Sequence, residues 1–201
     1  NYVNYCNNRE YENAYNLLSN SYKTRYCNNI DTFKTYVDSV FETKKIYNIQ
    51  NFSNINNAYI YRVRLLDDIL ANGTTDEYVY TEEKYVIKEE DGILKISLNG
   101  YCGSEDLNIE VEDEYMQIKI LKKDVEYDNS TYTLEIKNKT SYYIVLADST
   151  THDEIMLKLP NDQRAAKYMT DSNFVILPNS TTTREVTFDE YFDDKVDATN
   201  L

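Results

Sequence analysis

The side chains able to do chemistry are few and scattered. The single histidine, His152, stands beside Asp153 and Glu154, and the three cysteines, Cys6, Cys27 and Cys102, form no C-x-x-C pair. A zinc site needs four N or S ligands brought together, and a thiol nucleophile needs a base within reach. His152 lies far along the chain, in what reads as a second domain. The thiols therefore read as buried or half-buried free cysteines, with one disulfide plus a leftover thiol as the alternative. His152 reads as an exposed loop residue without a special role. Acidic clusters at Glu82-Glu83, Glu89-Glu90-Asp91, Glu110 to Glu114 and Asp189 to Asp194 invite a calcium reading. None has the spaced D-x-[DN]-x-[DN]-G loop with its downstream Glu, so a solvated surface is expected, with weak peripheral cation binding as the lesser alternative. No catalytic residue, metal site or cofactor is assigned.

The tyrosines are the more informative chemistry. There are 21 in 201 residues, against six Phe and no Trp. A phenol buries its ring and keeps an oxygen that must be wet or hydrogen-bonded. Tyr59, Tyr61, Tyr78, Tyr80 and Tyr85 are candidates for a concave ligand-binding face, and the competing reading is that they pack helices onto a sheet. The first hundred residues contain no histidine, the commonest general base. An Asp-plus-Tyr arrangement stays open there, since Asp67 and Asp68 lie among tyrosines.

The elements that position these groups follow from periodicity. Tyr11, Ala14, Tyr15, Leu18 and Tyr22 make one helical stripe, which the pattern starts near Tyr2, and Phe33, Tyr36, Val37, Val40 and Phe41 make a second with Asp31 as its N-cap. Strand patterns follow at Lys45 to Phe52, Asn57 to Leu66, Glu77 to Glu89 and Ile93 to Tyr101. Asp91-Gly92, between alternating runs, marks a tight hairpin. In the second strand Tyr59, Tyr61, Val63 and Leu65 share one face, and Ala58, Ile60, Arg62 and Arg64 the other, with one face expected covered and one wet. Residues 100–107 lose this alternation and hold two of the four glycines, so a boundary is placed there: one domain over 1–103, another over 104–201.

The stretches EYENAYNLLSNSYK (Glu10 to Lys23), TFKTYVDSVF (Thr32 to Phe41) and KYVIKEEDGILKI (Lys84 to Ile96) resemble the NTF2-like (cystatin-like α+β cone) superfamily, as found in bacterial exported proteins and lipoproteins. Such relatives often carry Trp where Ile93 stands. The resemblance implies helices packed on a curved antiparallel sheet, and, in the members that are enzymes, an Asp/His or Tyr/Asp pair inside the cone. Beyond residue 104, about seven short alternating segments, with turns at Asp128-Asn129, Asn138-Lys139, Pro160-Asn161 and Pro178-Asn179, point to an all-β sandwich. STYTLEIKNKTSYYIVL and VILPNSTTTREVTF resemble the immunoglobulin-like domains appended to bacterial surface proteins. That resemblance makes Ile136 to Thr140 a turn between core strands and Val175 to Phe188 a closing hairpin. The acidic tail is expected to fray after Phe192.

The fold class read from the sequence is thus α+β, a cone followed by a sandwich. A net charge of −14 argues against nucleic acid and anionic membrane surfaces, since phosphate binding needs clustered Lys and Arg. Membrane association is expected only through an N-terminal anchor ahead of Asn1, because no apolar run approaches the roughly 18 to 20 residues that span a bilayer. The heavy use of Asn, Tyr, Ile and Lys resembles that of low-GC Gram-positive bacteria, and an extracytoplasmic setting is expected. The expected role is a non-enzymatic binding or scaffolding ectodomain, with a small ligand or protein partner and self-association through sheet edges in view. The alternatives are a small-molecule carrier using the cone interior and a cone enzyme built around a raised-pKa carboxylate among tyrosines.

Overall fold

A computed structural model describes residues 1–55, 58–68, 70, 80–147, 155–159, 162–167 and 174–190. The chain is mixed, with 20% helix and 57% strand, and includes a sheet curled into a half-barrel. Its contacts divide it into two compact units, the first ending at Cys102 and the second starting at Gly103.

The first unit opens with four short helices, α1 (Tyr2–Asn7), α2 (Tyr11–Leu17), α3 (Asn20–Tyr26) and α4 (Ile30–Val40). The single stripe expected from Tyr11 to Tyr22 is broken in the middle. Leu18 is extended, with φ −70° and ψ 147°, and bridges in parallel to Ile96, whose carbonyl accepts from Ser19 N at 2.8 Å. Ser19 then caps α3, its Oγ accepting from Tyr22 N at 3.1 Å, and lies 2.8 Å from Ser97 Oγ. A serine that can cap and bond a strand at once is better satisfied here than inside a helix. The cap of α4 is Asn29, accepting from Thr32 N at 2.9 Å; Asp31 sits in the first turn instead. Asn29 has the extended backbone that a cap requires, whereas Asp31 is already helical.

Four antiparallel strands follow in spatial order: β1 (Lys45–Ile55), β2 (Ala58–Asp67), β3 (Tyr80–Glu90) and β4 (Ile93–Ser97). Glu90 pairs with Ile93 across Asp91 (φ 53°) and Gly92 (φ 77°), the two left-handed residues that a type I′ turn demands. A Cβ on Gly92 would meet nothing, so the glycine answers to backbone angle and not to space. A register shift between Asn51 and Ser53 makes Phe52 a bulge, a local increase in twist that suits a curled sheet. The helices pack on the sheet face that carries Val63, Leu65, Tyr85 and Leu98. The expectation of one covered and one wet face on β2 is corrected, because Ala58 and Ile60 on the opposite face are buried as well, while Tyr59 on the helix side is 48% exposed. Burial changes faces along a strand once the sheet curls away from the helices.

The next strand, β5 (Tyr101–Glu112), starts at the end of the first unit and runs on into the second, through the segment where alternation is lost and the boundary is expected. Strand pairing overrides the weak local pattern there. It joins β6 (Met116–Glu126), β7 (Asn129–Asn138), β9 (Met156–Leu159), β10 (Asp162–Lys167) and β12 (Thr181–Asp189) in a sheet of order β5-β6-β7-β12-β10-β9. The two-residue strands β8 (Ile144–Val145) and β11 (Val175–Ile176) form a separate pair. The expected closing hairpin over Val175 to Phe188 does not form: β11 pairs with β8, and β12 with β7 and β10. Asn138 is why the chain can change sheets at this point. It is 1% exposed, and its Nδ2 donates to the carbonyls of Tyr142 (2.7 Å), Ile176 (3.3 Å) and Leu177 (3.1 Å) while Oδ1 accepts from Thr140 N at 2.8 Å. His152, the Pro160-Asn161 turn and the tail after Phe192 lie outside the described residues.

Glu190 lies between Lys123 Nζ (3.6 Å) and Arg164 Nη1 (3.2 Å), with all three side chains largely shielded from solvent. Glu82 pairs with Arg62 and Arg64 in a wetter setting. Glu190→Ala leaves a buried ammonium without its partner and is expected to cost about 3–5 kcal/mol in urea unfolding. Glu82→Ala is expected to cost about 1 kcal/mol or less.

Candidate functional site

Where α1 meets the sheet, the helix-side face stays partly uncovered. A pocket of about 200 Å³ opens there, lined by Asn1, Tyr2 and Val3 from the chain start and α1, Tyr47 and Ile49 from β1, Tyr61 and Val63 from β2, Tyr85 and Ile87 from β3, and Ile96 from β4. Strand register explains the grouping. Ile49 pairs with Val63, Tyr61 with Tyr85 and Ile87 with Ile96, so three successive cross-strand pairs on one face, drawn from all four strands, form the floor. Tyr47 and Ile49 are 42% and 53% exposed and form the open wall on the edge strand. Tyr2 and Tyr85 meet edge to face at 5.7 Å and 89°, making a corner of the floor.

The five tyrosines singled out in the sequence therefore separate. Tyr61 and Tyr85 stand side by side and line the pocket. Tyr59 shares their face but is exposed and outside the pocket. Tyr80 falls on the opposite face of β3, where its ring takes the Arg64 guanidinium at 5.1 Å, so it is corrected out of the group by strand alternation. Tyr78 lies outside the described residues. Tyr2, Tyr47 and Ile49 belong to the site without having been assigned to it, since only tertiary packing brings α1 and an edge strand together here.

Behind the Tyr2–Tyr85 corner lies a buried polar cluster. Glu83, two residues before Tyr85 on the same face of β3, points inward; its Oε1 accepts from Tyr36 Oη at a long 3.5 Å. Its Oε2 and the hydroxyls of Tyr2 and Tyr85 are closed to solvent, so the polar contacts they make are with one another and with Cys6. The expected solvated surface at Glu82-Glu83 is thus right for Glu82 and corrected for Glu83, because alternate residues of a strand face opposite sides. Burial pushes the Glu83 carboxyl above its ordinary value, against an opposing pull from the Tyr85 and Tyr36 hydroxyls. Burial and neighbouring acidic groups raise Tyr2, Tyr36 and Tyr85 in the same direction. The Cys6 thiol, also against this cluster, is pushed up to about 12 by burial, and the Cys27 thiol to about 11. Among the described residues no three His, Cys, Asp or Glu side chains group as a metal site, and no helix is long and apolar enough to cross a membrane.

Compared with protein-family models, curated proteins and solved structures, the chain matches none. What the coordinates define is a helix-backed curled sheet with a small, mainly apolar, tyrosine-cornered pocket.

Two outcomes follow. Because the folded state holds a proton on Glu83 more tightly than the unfolded chain does, the stability linked to this group is complete below its ordinary value of 4.5 and is lost as pH rises through its folded value. Glu83→Gln is therefore expected to raise the melting temperature at neutral pH, with the gain vanishing below that ordinary value; a constant gain at all pH would refute the burial of a charge. Thiol titration with an aromatic disulfide is expected to label Cys102, which is half-exposed, in the native protein, and to reach Cys6 and Cys27 after denaturation.

Proposed function

We propose that this protein is a non-enzymatic binding module working outside the cytoplasm, with an NTF2-like first unit that holds a small ligand and an immunoglobulin-like second unit that spaces or orients it. One observation carries the reading: a pocket walled by aliphatic and phenol side chains with the one amide of Asn1, in which none of the ten lining side chains bears a carboxylate or an imidazole. Such walls supply area and shape but no general base. At about 200 Å³ the pocket is smaller than a drug-sized site, so it takes a compact molecule or the end of a longer one. The setting outside the cytoplasm rests on composition, and the architecture names rest on the sequence stretches that resemble those families together with the helix-on-curled-sheet and strand-pair arrangement.

A second reading has its own observation. Glu83, with a raised proton affinity beside Tyr36 and Tyr85, is the carboxylate that a cone enzyme would need. Its Oε2 is closed to solvent and Glu83 is not among the lining residues, so a molecule in the pocket meets rings first. Binding is the better supported role.

Native mass spectrometry and titration with a small solvatochromic fluorophore test this. Ile49→Glu puts a charge on an exposed rim position and is expected to reduce probe binding about tenfold or more while leaving the melting temperature unchanged, since no buried side chain is lost. Unaltered probe binding in the variant would remove the pocket from the proposal.

A further inference from the structure

The pocket brings four tyrosines to one small volume: Tyr2, Tyr47, Tyr61 and Tyr85. Elsewhere this chain uses aromatic faces to hold its own cations, with Lys23 over Tyr15 at 4.6 Å, Arg62 over Phe52 at 4.3 Å and Arg64 over Tyr80 at 5.1 Å. Among the described residues no Lys or Arg sits over any of the four pocket rings. Two of them, Tyr2 and Tyr85, stand at 89° to one another and make the buried corner, while Tyr47 is 42% exposed on the open wall. Glu83 lies directly behind, as the cross-strand partner of the lining residue Val63 and two positions along β3 from Tyr85. The chain as a whole carries −14.

From this juxtaposition we infer that the pocket selects a small quaternary ammonium, with its methyl groups against the aliphatic walls and its charge over the tyrosine rings in front of Glu83. The inference rests on reading the pocket as a ligand site and adds the class of ligand. Ring faces attract cations through their quadrupole, and the attraction grows when the site is dry. The methylation state follows from the hydrogen-bonding inventory. A primary ammonium brings three N–H donors that must all be satisfied; the hydroxyls of Tyr2 and Tyr85 are closed to solvent, which leaves the Asn1 amide oxygen and the Tyr47 and Tyr61 hydroxyls as the acceptors among the lining side chains. A trimethylammonium group has no donors to lose. A neutral hydrocarbon of the same shape would satisfy the walls but gain nothing from the rings, from Glu83 or from the acidic surface, which concentrates cations near the molecule at low salt.

The test compares choline, its neutral carbon isostere 3,3-dimethylbutan-1-ol, and ethanolamine, by calorimetry and by NMR of the full chain. Choline is expected to bind at least about fivefold more tightly than either of the others, a margin in the range of cation–π contributions. Tyr47→Leu keeps apolar volume and removes one ring at a position 42% exposed, so folding is spared. It is expected to weaken choline about three- to tenfold while leaving the isostere within about twofold. Sedimentation with phosphatidylcholine vesicles separates the sources: Tyr47-dependent co-sedimentation supports a lipid headgroup, and choline binding without it supports a free solute. Equal binding of choline and the isostere would overturn the cation inference while the pocket stood as an apolar ligand site. Failure of all three to bind a protein whose fluorophore binding still depends on Ile49 would also overturn it. Failure of the fluorophore too would remove both readings.

Discussion

Burying phenol rings in bulk is the constraint on which the first unit depends. Helices α1, α3 and α4 are held to the sheet largely by Tyr2, Tyr22, Phe33, Tyr85 and Tyr101, with Tyr15 of α2 and Tyr36 of α4 packed beside them. Phe33 gathers several of these, at 5.5 Å from Tyr15, 6.3 Å from Tyr36 and 6.5 Å from Tyr2. Each ring adds area comparable to any aromatic core residue, but each tyrosine also brings an oxygen that water no longer reaches. The fold collects several of these oxygens in one place, around Glu83 and Cys6. A polar pocket inside an apolar core is the result, closed to solvent and bonded within itself.

The same constraint shapes the pocket. Rigid rings meeting edge to face leave angular gaps that flexible aliphatic chains would fill, and α1 reaches the edge strand through Asn7, which bonds both backbone groups of Lys45, without covering Tyr47 and Ile49. Tyr47 and Ile49 stay half in solvent for that reason. An opening lined by ring faces and branched aliphatic chains, with a carboxyl one layer deeper, is the chemistry left over when tyrosines do the work of a core.

The second unit solves a different problem with polar side chains. Moving the chain from a six-stranded sheet to a separate strand pair leaves carbonyls to be bonded at the crossing, and Asn138 shares the two N–H donors of one buried amide among three of them. Lys123, Arg164 and Glu190 form the other buried polar device, and β7 and β12 pair along nearly their whole length between the two. Thr131 and Thr187 add a hydroxyl contact of 2.9 Å across that same pair.

Much of this was legible in the residue order. Local backbone chemistry fixes the type I′ turn at Asp91-Gly92, the four strands of the first sheet within a few residues, and most strands of the second unit, because period-two alternation and turn residues act over short distances. Alternation also held the clue to Glu83, which shares its parity with Tyr85 and so must face wherever Tyr85 faces. Other features depended on partners far along the chain. Ser19 breaks a helix because Ile96 and Ser97 arrive beside it, β11 abandons β12 because β8 is there to receive it, and residues 101–112 become a strand because β6 pairs with them. The pocket belongs to this second kind: Tyr2, Tyr47 and Tyr85 are separated by up to 83 positions in sequence, and only the closing of α1 over a curled sheet makes them neighbours, since no local pattern encodes where a long-range contact will leave space.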